Sequence, residues 1–354
     1  MTYTCVVTGG AGFVGCAMSA ALAGQFDEMI VVDNLHPQIH PQQVRPPLLH
    51  EKVKLVIGDI TIDETWDRLL SDVQPNVLLH LAAETGTGQS LTEASRHASV
   101  NVLGTTRMLD AFARRQFSPA RIVLASSRAV YGEGAWQDRE TGKIVYPGQR
   151  SHAQLQRGEW DFTNLRYLPS SALSTEPHPT SIYGATKLAQ EQIMRAWALS
   201  FGADIVILRL QNVYGPGQSL ANPYTGIVPL FARFAREGQS IPVYEDGQIT
   251  RDFVFIEDVV AAIGYVVCNG APSTDIYDVG SGQAVSIMHL ATLIAQFYGA
   301  PNPRITGAFR NGDVRHASCD IAAARNDLNW TPTRSLEDGL RLLCHWIDDQ
   351  VAQP

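Results

Sequence analysis

Eight residues near the N-terminus, Thr8-Gly9-Gly10-Ala11-Gly12-Phe13-Val14-Gly15, constrain this chain more than any other stretch. They follow a short apolar run, Thr4 to Thr8, and lead into an alanine-rich stretch, Phe13 to Ala23, that closes near Gly24. A second apolar run, Met29 to Val32, ends at Asp33. Strand, glycine turn, helix and strand in that order make a βαβ unit. Gly9, Gly12 and Gly15 allow a tight turn and close approach of backbone to a pyrophosphate. The helix N-terminus, with Phe13 and Val14 in its first turn, adds N–H donors and a favourable dipole. The surrounding elements, more than the glycines alone, point to a dinucleotide site.

Asp33 stands 18 residues beyond Gly15 at the end of the second strand, followed by Asn34. A carboxylate there can accept hydrogen bonds from both adenosine ribose hydroxyls and would repel a 2′-phosphate, which favours NAD over NADP. Asp59-Ile60 ends a further strand and is placed for adenine recognition. In His80-Leu81-Ala82-Ala83 the small residues leave room for a cofactor to pass over the backbone, and His80 itself reads as a satisfied core histidine. Further strands are expected at Val53 to Ile57, Val77 to His80, Arg121 to Ala125 and Ile205 to Leu208, with helices between several of them. That alternation implies an α/β fold with a doubly wound parallel sheet covered on both faces.

A second segment carries chemistry. Tyr183-Gly184-Ala185-Thr186-Lys187 places a phenol and an ammonium at i and i+4 on one helix face. Ala185, Ala189, Ile193 and Trp197 share a stripe of that helix, and Gly202 ends it. A tyrosine ionises near pH 10 in water. A neighbouring ammonium and a cationic nicotinamide would both lower that value. The phenolate could then take a proton from a sugar hydroxyl as hydride leaves the same carbon. Ser126-Ser127, at the end of the strand through Ile122 to Ala125, offers a hydroxyl to share the reacting oxygen.

With these pieces in place the chain resembles an extended short-chain dehydrogenase/reductase of the NAD-dependent epimerase/dehydratase family acting on nucleotide sugars. TGGAGFVG, VVDN, GDI, HLAAE, VNVLGT, SSRAVYG, YGATK, LRLQNVYGPGQ, RDFVFIEDVV and GDVRH occur in family order over nearly the whole chain. The resemblance implies a seven-stranded Rossmann sheet and a smaller C-terminal α/β substrate-binding lobe. Residues 1–210 would form the NAD-binding part, with 240–270 returning to it and 211–354 forming most of the lobe. It implies Ser127, Tyr183 and Lys187 as the catalytic set, because Ser127 stands four before Tyr131 in S-x-A-V-Y-G. Asn101 in VNVLGT is implied on the cofactor side. Asn212, Arg251, Arg310 and, less closely matched, Arg315 are implied on the substrate diphosphate, where arginine suits bidentate contacts. Thr85, Gln89, Ser90 and Arg128 are expected to face the sugar. Homodimers through a four-helix bundle are implied, built from the helices Asn101 to Ala113 and Tyr183 to Leu199.

Two departures refine this. The family's 4,6-dehydratases carry an Asp-Glu pair just after the catalytic hydroxyl. Here those positions are Arg128 and Ala129. Neither moves protons during loss of water, and decarboxylation loses its glutamate at 129. Inversion at C4 of a UDP- or dTDP-hexose is therefore expected, with dehydratase or 4-keto reductase as the alternative; Asp33 argues against a reductase using exchangeable NADPH. The second departure is length. Ser127 and Tyr183 lie 56 positions apart, about twice the family spacing, with an insert at 135–179 that breaks the rhythm of the sheet except for a short helix near Ser151 to Gln156. Both ends of the insert lie near the substrate carbon, so it is expected to shape the sugar pocket. SSRAVYGEG with such an insert is similar to dTDP-L-rhamnose-type 4-epimerases. Some of those carry cysteines there and this chain has none, so no metal is expected.

Charge bounds the partners. The net charge is −8 without long runs of either sign, so no nucleic-acid partner is expected. Only Lys52, Lys54, Lys143 and Lys187 are lysines. The five cysteines are scattered and unpaired in sequence, which fits a reducing compartment. No leader and no membrane-length apolar run is seen, so the cytoplasm is the expected location.

Overall fold

The computed structural model describes residues 2–220, 226–271 and 275–352. Seven parallel strands form the central sheet: β1 (Thr4–Thr8), β2 (Glu28–Asp33), β3 (Lys54–Ile57), β4 (Val77–His80), β5 (Arg121–Ser127), β6 (Asp204–Leu210) and β7 (Ile276–Val279). Their order across the sheet is β7-β6-β5-β4-β1-β2-β3. Strand order reverses between β1 and β4, which are hydrogen-bonded from Cys5↔Val77 to Thr8↔His80. Open α/β sheets bind ligands beyond the carboxyl ends of their strands at such a reversal.

The sheet forms because its central strands are short, apolar and buried on both faces. On one face Val7, Val31, Leu79, Val123 and Leu208 pack beneath helices Phe13–Leu22 and Ile256–Asn269. On the other, Val6, Ile30, Leu78, Ile122 and Ile207 meet Trp66, Phe112 and Met194 from helices Asp63–Asp72, Thr105–Arg114 and Ile182–Phe201. Removing a ring such as Phe112, fully buried, would cost about 3–5 kcal/mol.

β7 was not among the strands expected individually from sequence. Its Asp278 interrupts the apolar run, and the charge is accommodated because the Tyr131 hydroxyl donates to both carboxylate oxygens at 2.9 Å. Helix Ile256–Asn269 and β7 together bring the chain back to the sheet. Outside the sheet, strand Asn212–Tyr214 pairs in parallel with Phe253–Phe255. A separate apolar core including Phe231, Leu290 and Leu343 joins helices Ile227–Arg236, Ile287–Tyr298 and Leu336–Ala352.

The insert has structure of its own. Trp136–Asp138 lies between Ile144–Val145 and Leu165–Tyr167 in an antiparallel three-stranded sheet. Its short helix, His152–Gln156, is capped by the Ser151 hydroxyl, which accepts from the Gln154 N–H. Trp136 packs edge-on against Phe162 and Tyr167, with centroids 5.0 and 5.7 Å away.

Candidate active site at the carboxyl edge of the sheet

The glycine turn sits at the carboxyl end of β1. Gly9 has φ +65°, and a Cβ there would stand 2.6 Å from the Ala82 Cα, so only glycine lets the turn lie against Leu81 and Ala82. Gly12 occupies the N-cap of helix Phe13–Leu22 and no side chain caps the free N–H groups, which leaves them for an anion. Asp33 braces the same turn. Its Oδ2 accepts from the Ala11 N–H at 3.0 Å and its Oδ1 from the Leu35 N–H at 2.9 Å. Asn34 donates to Asp59 at 3.0 Å. Burial raises the Asp59 pKa, but bonds from Thr61 and Asn34 hold it below the usual carboxylate range. Ile60 is buried beside it. The Leu81 N–H donates to the Thr8 carbonyl at 3.1 Å and the Ala82 N–H to the Thr8 hydroxyl oxygen at 3.3 Å. Uncapped donors, a cradle that a Cβ would fill and a carboxylate at the end of β2 suit NAD.

Asn101 lies in a π-helical turn, Ser99–Gly104, and is fully buried. Its Oδ1 accepts from the Glu84 N–H, and its Nδ2 donates to the Glu84 carbonyl and the Thr186 hydroxyl. Asn101 thereby joins the Glu84 backbone to Thr186 of the catalytic helix.

Helix Ile182–Phe201 begins at Ser181, whose hydroxyl accepts from the Gly184 N–H at 3.0 Å. Gly184 lies so close to the Ala129 carbonyl that a Cβ would overlap it. That approach presses Tyr183 against the short 3₁₀ turn Arg128–Tyr131, directly after Ser127. Burial pushes the Tyr183 phenol up, while the Ser127 hydrogen bond and the Arg128 charge pull it down. The cation acting on the phenol in this structure is thus Arg128. Lys187 is buried, and its ammonium donates to Gln190 Oε1 at 2.5 Å. Burial lowers the Lys187 pKa to about 7 against the opposing charge of Glu191.

The stripe of Ala185, Ala189, Ile193 and Trp197 is only half-covered: Ala185 is exposed, while Ile193 and Trp197 pack against the core, Trp197 beside Phe112. The buried face of the helix is Gly184, Lys187, Glu191, Met194 and Ala198, offset from it. The helix turns its functional side inward because Glu191 finds a bidentate partner in Arg209, at 3.0 and 2.7 Å.

On the substrate side, Arg128 Nε donates to Asn212 Oδ1 at 3.2 Å. Burial first, then the nearby Arg251, lowers the Arg128 pKa to about 10. Among the described residues no carboxylate forms an ion pair with it. Arg251 is buried and pairs with Asp313 at 3.1 Å. Arg310 is exposed, its guanidinium 5.2 Å over the Tyr244 ring. Arg315 departs from expectation. It is 1% exposed and bound by Asp161, Glu245 and Asp246 at 2.7–3.2 Å, so its charge is compensated inside the protein. Thr85 is exposed. Gln89 and Ser90 are buried, Gln89 bonded to Gln38 and Glu93, Ser90 to the Thr87 carbonyl. Gln190 and Asp313 escaped the sequence reading. Gln190 at i+3 from Lys187 was the available signal for one; Asp313, within the recognised GDVRH, was the other.

A nucleotide-binding parallel sheet that gathers a serine, a tyrosine and a lysine beside its glycine turn defines an enzyme of the short-chain dehydrogenase/reductase type. The chain belongs to the NAD-dependent epimerase/dehydratase family, whose model matches residues 5–154 and 166–280, and NAD is its cofactor. The chain is 58% identical to the dTDP-L-rhamnose 4-epimerase of Burkholderia thailandensis over 346 residues, 98% of this chain and 95% of that one. It is 26% identical to the dTDP-glucose 4,6-dehydratase of Neisseria meningitidis serogroup B, covering 97% and 93%. Its fold superposes on the UDP-glucose 4-epimerase of Thermotoga maritima, solved with UDP-glucose, with a TM-score of 0.81 at 26% identity and coverage of 98% and 99%. The Thermus thermophilus UDP-glucose 4-epimerase, solved with NAD, gives 0.76 at 26% identity, covering 98% and 99%.

Proposed function

We propose that this protein is an NAD-dependent nucleotide-sugar epimerase that inverts C4 of a UDP- or dTDP-hexose through a transient 4-keto sugar, with dTDP-L-rhamnose as the first substrate to test. The observation that carries the reading is the junction of Ser127, Tyr183 and Arg128, where no acidic side chain follows the catalytic serine. Tyr183 takes the proton of the C4 hydroxyl and returns it to the inverted oxygen. Ser127 holds that oxygen during both transfers, and Lys187 completes the catalytic set. NAD, when bound, supplies reversible acceptance of the C4 hydride.

The backbone of Gly9, Gly12, Phe13, Val14 and Gly15 binds the pyrophosphate. Asp33 and Asn34 take the adenosine ribose, Asp59 and Ile60 the adenine side, and Leu81, Ala82 and Ala83 the passage toward Tyr183 and Lys187. Asn212, Arg251 and Arg310 hold the substrate diphosphate. Arg128, a half-buried cation that pairs with no carboxylate among the described residues, finds its anion there. Thr85 lies at the sugar side. The chain acts in the cytoplasm; no helix of the described residues is long and apolar enough to cross a membrane. It acts as a homodimer whose bundle uses the outer face of helix Ile182–Phe201. Support for that face comes from the exposed Leu199 (88%) and Phe201 (46%), and Leu103 (43%) on the neighbouring helical stretch.

The test is incubation with dTDP-L-rhamnose and a panel of UDP-, dTDP-, GDP- and CDP-sugars, read by NMR. Inversion at C4 with no net consumption of NAD is expected. A 4-keto-6-deoxy product in its place would make the chain a dehydratase.

A further inference from the structure

Lys187 is the buried member of the chain's four lysines; Lys52, Lys54 and Lys143 are exposed. Its ammonium hydrogen-bonds Gln190, itself fully buried one turn along the same helix. The Gln190 amide can stand only one way round. Its nitrogen donates to Thr105 Oγ1 at 2.8 Å and lies 3.2 Å from His80 Nε2. The Thr105 hydroxyl hydrogen is already given to the Asn101 carbonyl at 2.7 Å, so toward Gln190 this oxygen is an acceptor. A flipped amide would set oxygen against oxygen at Thr105 and NH₂ against the ammonium. The network therefore fixes the carbonyl oxygen toward Lys187.

The chain continues inward. His80 Nε2 lies 3.0 Å from Thr105 Oγ1, and His80 Nδ1 lies 2.7 Å from the Thr8 hydroxyl. Burial and the Lys187 charge keep His80 neutral, with its pKa down to about 3. Thr8 opens the glycine turn. Five buried side chains thus join Thr8 to Lys187 through His80, Thr105 and Gln190.

We propose that Gln190 is the positioning residue of the catalytic lysine, a neutral acceptor that fixes the ammonium without cancelling its charge. The proposal rests on Lys187 being the catalytic lysine assigned above. Neutrality matters because the other acceptor near this helix face, Glu191, is committed. Arg209 and Ser126 bind its carboxylate, so its charge is compensated. The remaining ionisable groups around Lys187 are the neutral His80 from β4 and Tyr183 one turn earlier. The packed segment before Thr105 presents Asn101 and Thr105, which do not ionise. A glutamine in this position leaves the positive field of Lys187 available to the site.

Four lysines make the test direct. Protein carrying ¹³C at lysine Cε gives four signals, that of Lys187 being the one missing in Lys187→Met. In the purified protein, with and without added NAD, Gln190→Met should lower the Lys187 titration midpoint, and Gln190→Glu should raise it, by about one unit or more. With the sugar substrate, Gln190→Met should lower kcat about ten-fold or more while KM stays within about three-fold. If Gln190→Met does not fold, Thr105→Val decides, since freeing the amide to turn should move the Lys187 signal in the same direction. A Lys187 signal unmoved by Gln190→Met and Gln190→Glu, or by Thr105→Val, overturns the proposal. The titration is read without turnover. Absence of inversion by the wild type would therefore sink the epimerase reading alone, and normal inversion with an unmoved signal would sink Gln190 alone.

Discussion

Ser126 donates its hydroxyl to Glu191 Oε1 at 2.5 Å, beneath the sheet and away from the phenol of Tyr183. Its neighbour Ser127 points the other way, accepting from the Ala129 N–H at 3.2 Å and bonding the phenol. Successive residues of a strand face opposite sides, so β5 gives one serine to the core and one to the site. Ser127→Ala should leave folding intact and lower kcat about 10- to 150-fold, the equivalent of about 1.5–3 kcal/mol for a hydrogen bond to developing charge. Ser126→Ala should instead lower the melting temperature with little change in kcat. Steady-state kinetics and calorimetric melting of both variants decide it; the reverse pattern would exchange the two roles.

Tyr183→Phe removes the oxygen proposed to move the proton and keeps the ring that packs edge-on 6.4 Å from His97. Turnover should fall at least about 10²- to 10⁴-fold, the usual contribution of a positioned acid–base group. NAD binding by calorimetry should remain within a few-fold of wild type. Retained turnover would remove the tyrosine from the reaction.

Asp33 is expected to set the nucleotide preference. Its carboxylate holds the Ala11 and Leu35 N–H groups at the end of β2, and at the proposed ribose site its charge would repel a 2′-phosphate. NAD should bind more tightly than NADP in calorimetric titration, and protein can retain NAD through purification. Equal affinities for the two dinucleotides would contradict this placement.

Asp278 predicts a pH dependence of stability. Burial raises its pKa to about 7 despite the Tyr131 hydroxyl and the Arg209 charge. A carboxyl that is harder to ionise in the folded chain binds more protons there than in the unfolded chain, between the ordinary aspartate pKa near 4 and 7. Stability from this group is therefore lost as pH rises through that window. Asp278→Asn should flatten that part of the profile, with the wild type gaining on the variant as pH falls from 8 to 5. Urea unfolding at several pH values measures it, and parallel profiles would refute it.

The insert is tied to the lobe by buried charge. Arg150 pairs with Glu245 at 2.8 Å and Glu133 at 3.4 Å, all three nearly fully buried. Arg150→Met would take from Glu133 its ion-pair partner and leave Glu245 with Arg315 alone, and loss of one partner from such a set costs about 3–5 kcal/mol. A fall in unfolding free energy of that size is expected, and a change within the error of the measurement would show the carboxylates compensated by other groups. Glu133, already pushed up to about 7 chiefly by burial, should gain a proton in the variant.

The dinucleotide half was legible because it rests on local rules. A glycine turn, an apolar run on either side and an acid at the end of β2 each leave a mark within a few residues. The proposed catalytic residues could be named for a similar reason, since Tyr183 and Lys187 share one helix and Ser127 ends one strand. What stayed hidden depends on partners distant in sequence. Arg315 looks like a phosphate ligand until Asp161, Glu245 and Asp246 are brought to it from 154, 70 and 69 positions away. Asn101 joins Glu84, 17 positions away, and Thr186, 85 positions away, and neither link shows in the sequence. β7 reads as too polar for a central sheet until Tyr131 covers Asp278. The catalytic helix turns inward a face that mixes Lys187, Gln190 and Glu191 with Met194 and Ala198, and the polar groups on it are legible only with their partners.

The clamp on the insert also sets an order of events during synthesis. Glu133, Arg150 and Asp161 leave the ribosome long before Glu245, Asp246 and Arg315, whose charges they meet. Until residue 315 has emerged, the early members remain hydrated, because dry burial of an unmatched charge is unfavourable. The dinucleotide half can collapse on its first five strands as the chain grows, in keeping with N-terminal folding during translation. The sugar side cannot. A nascent chain is therefore able to recognise its coenzyme well before it is able to recognise what the coenzyme will act upon.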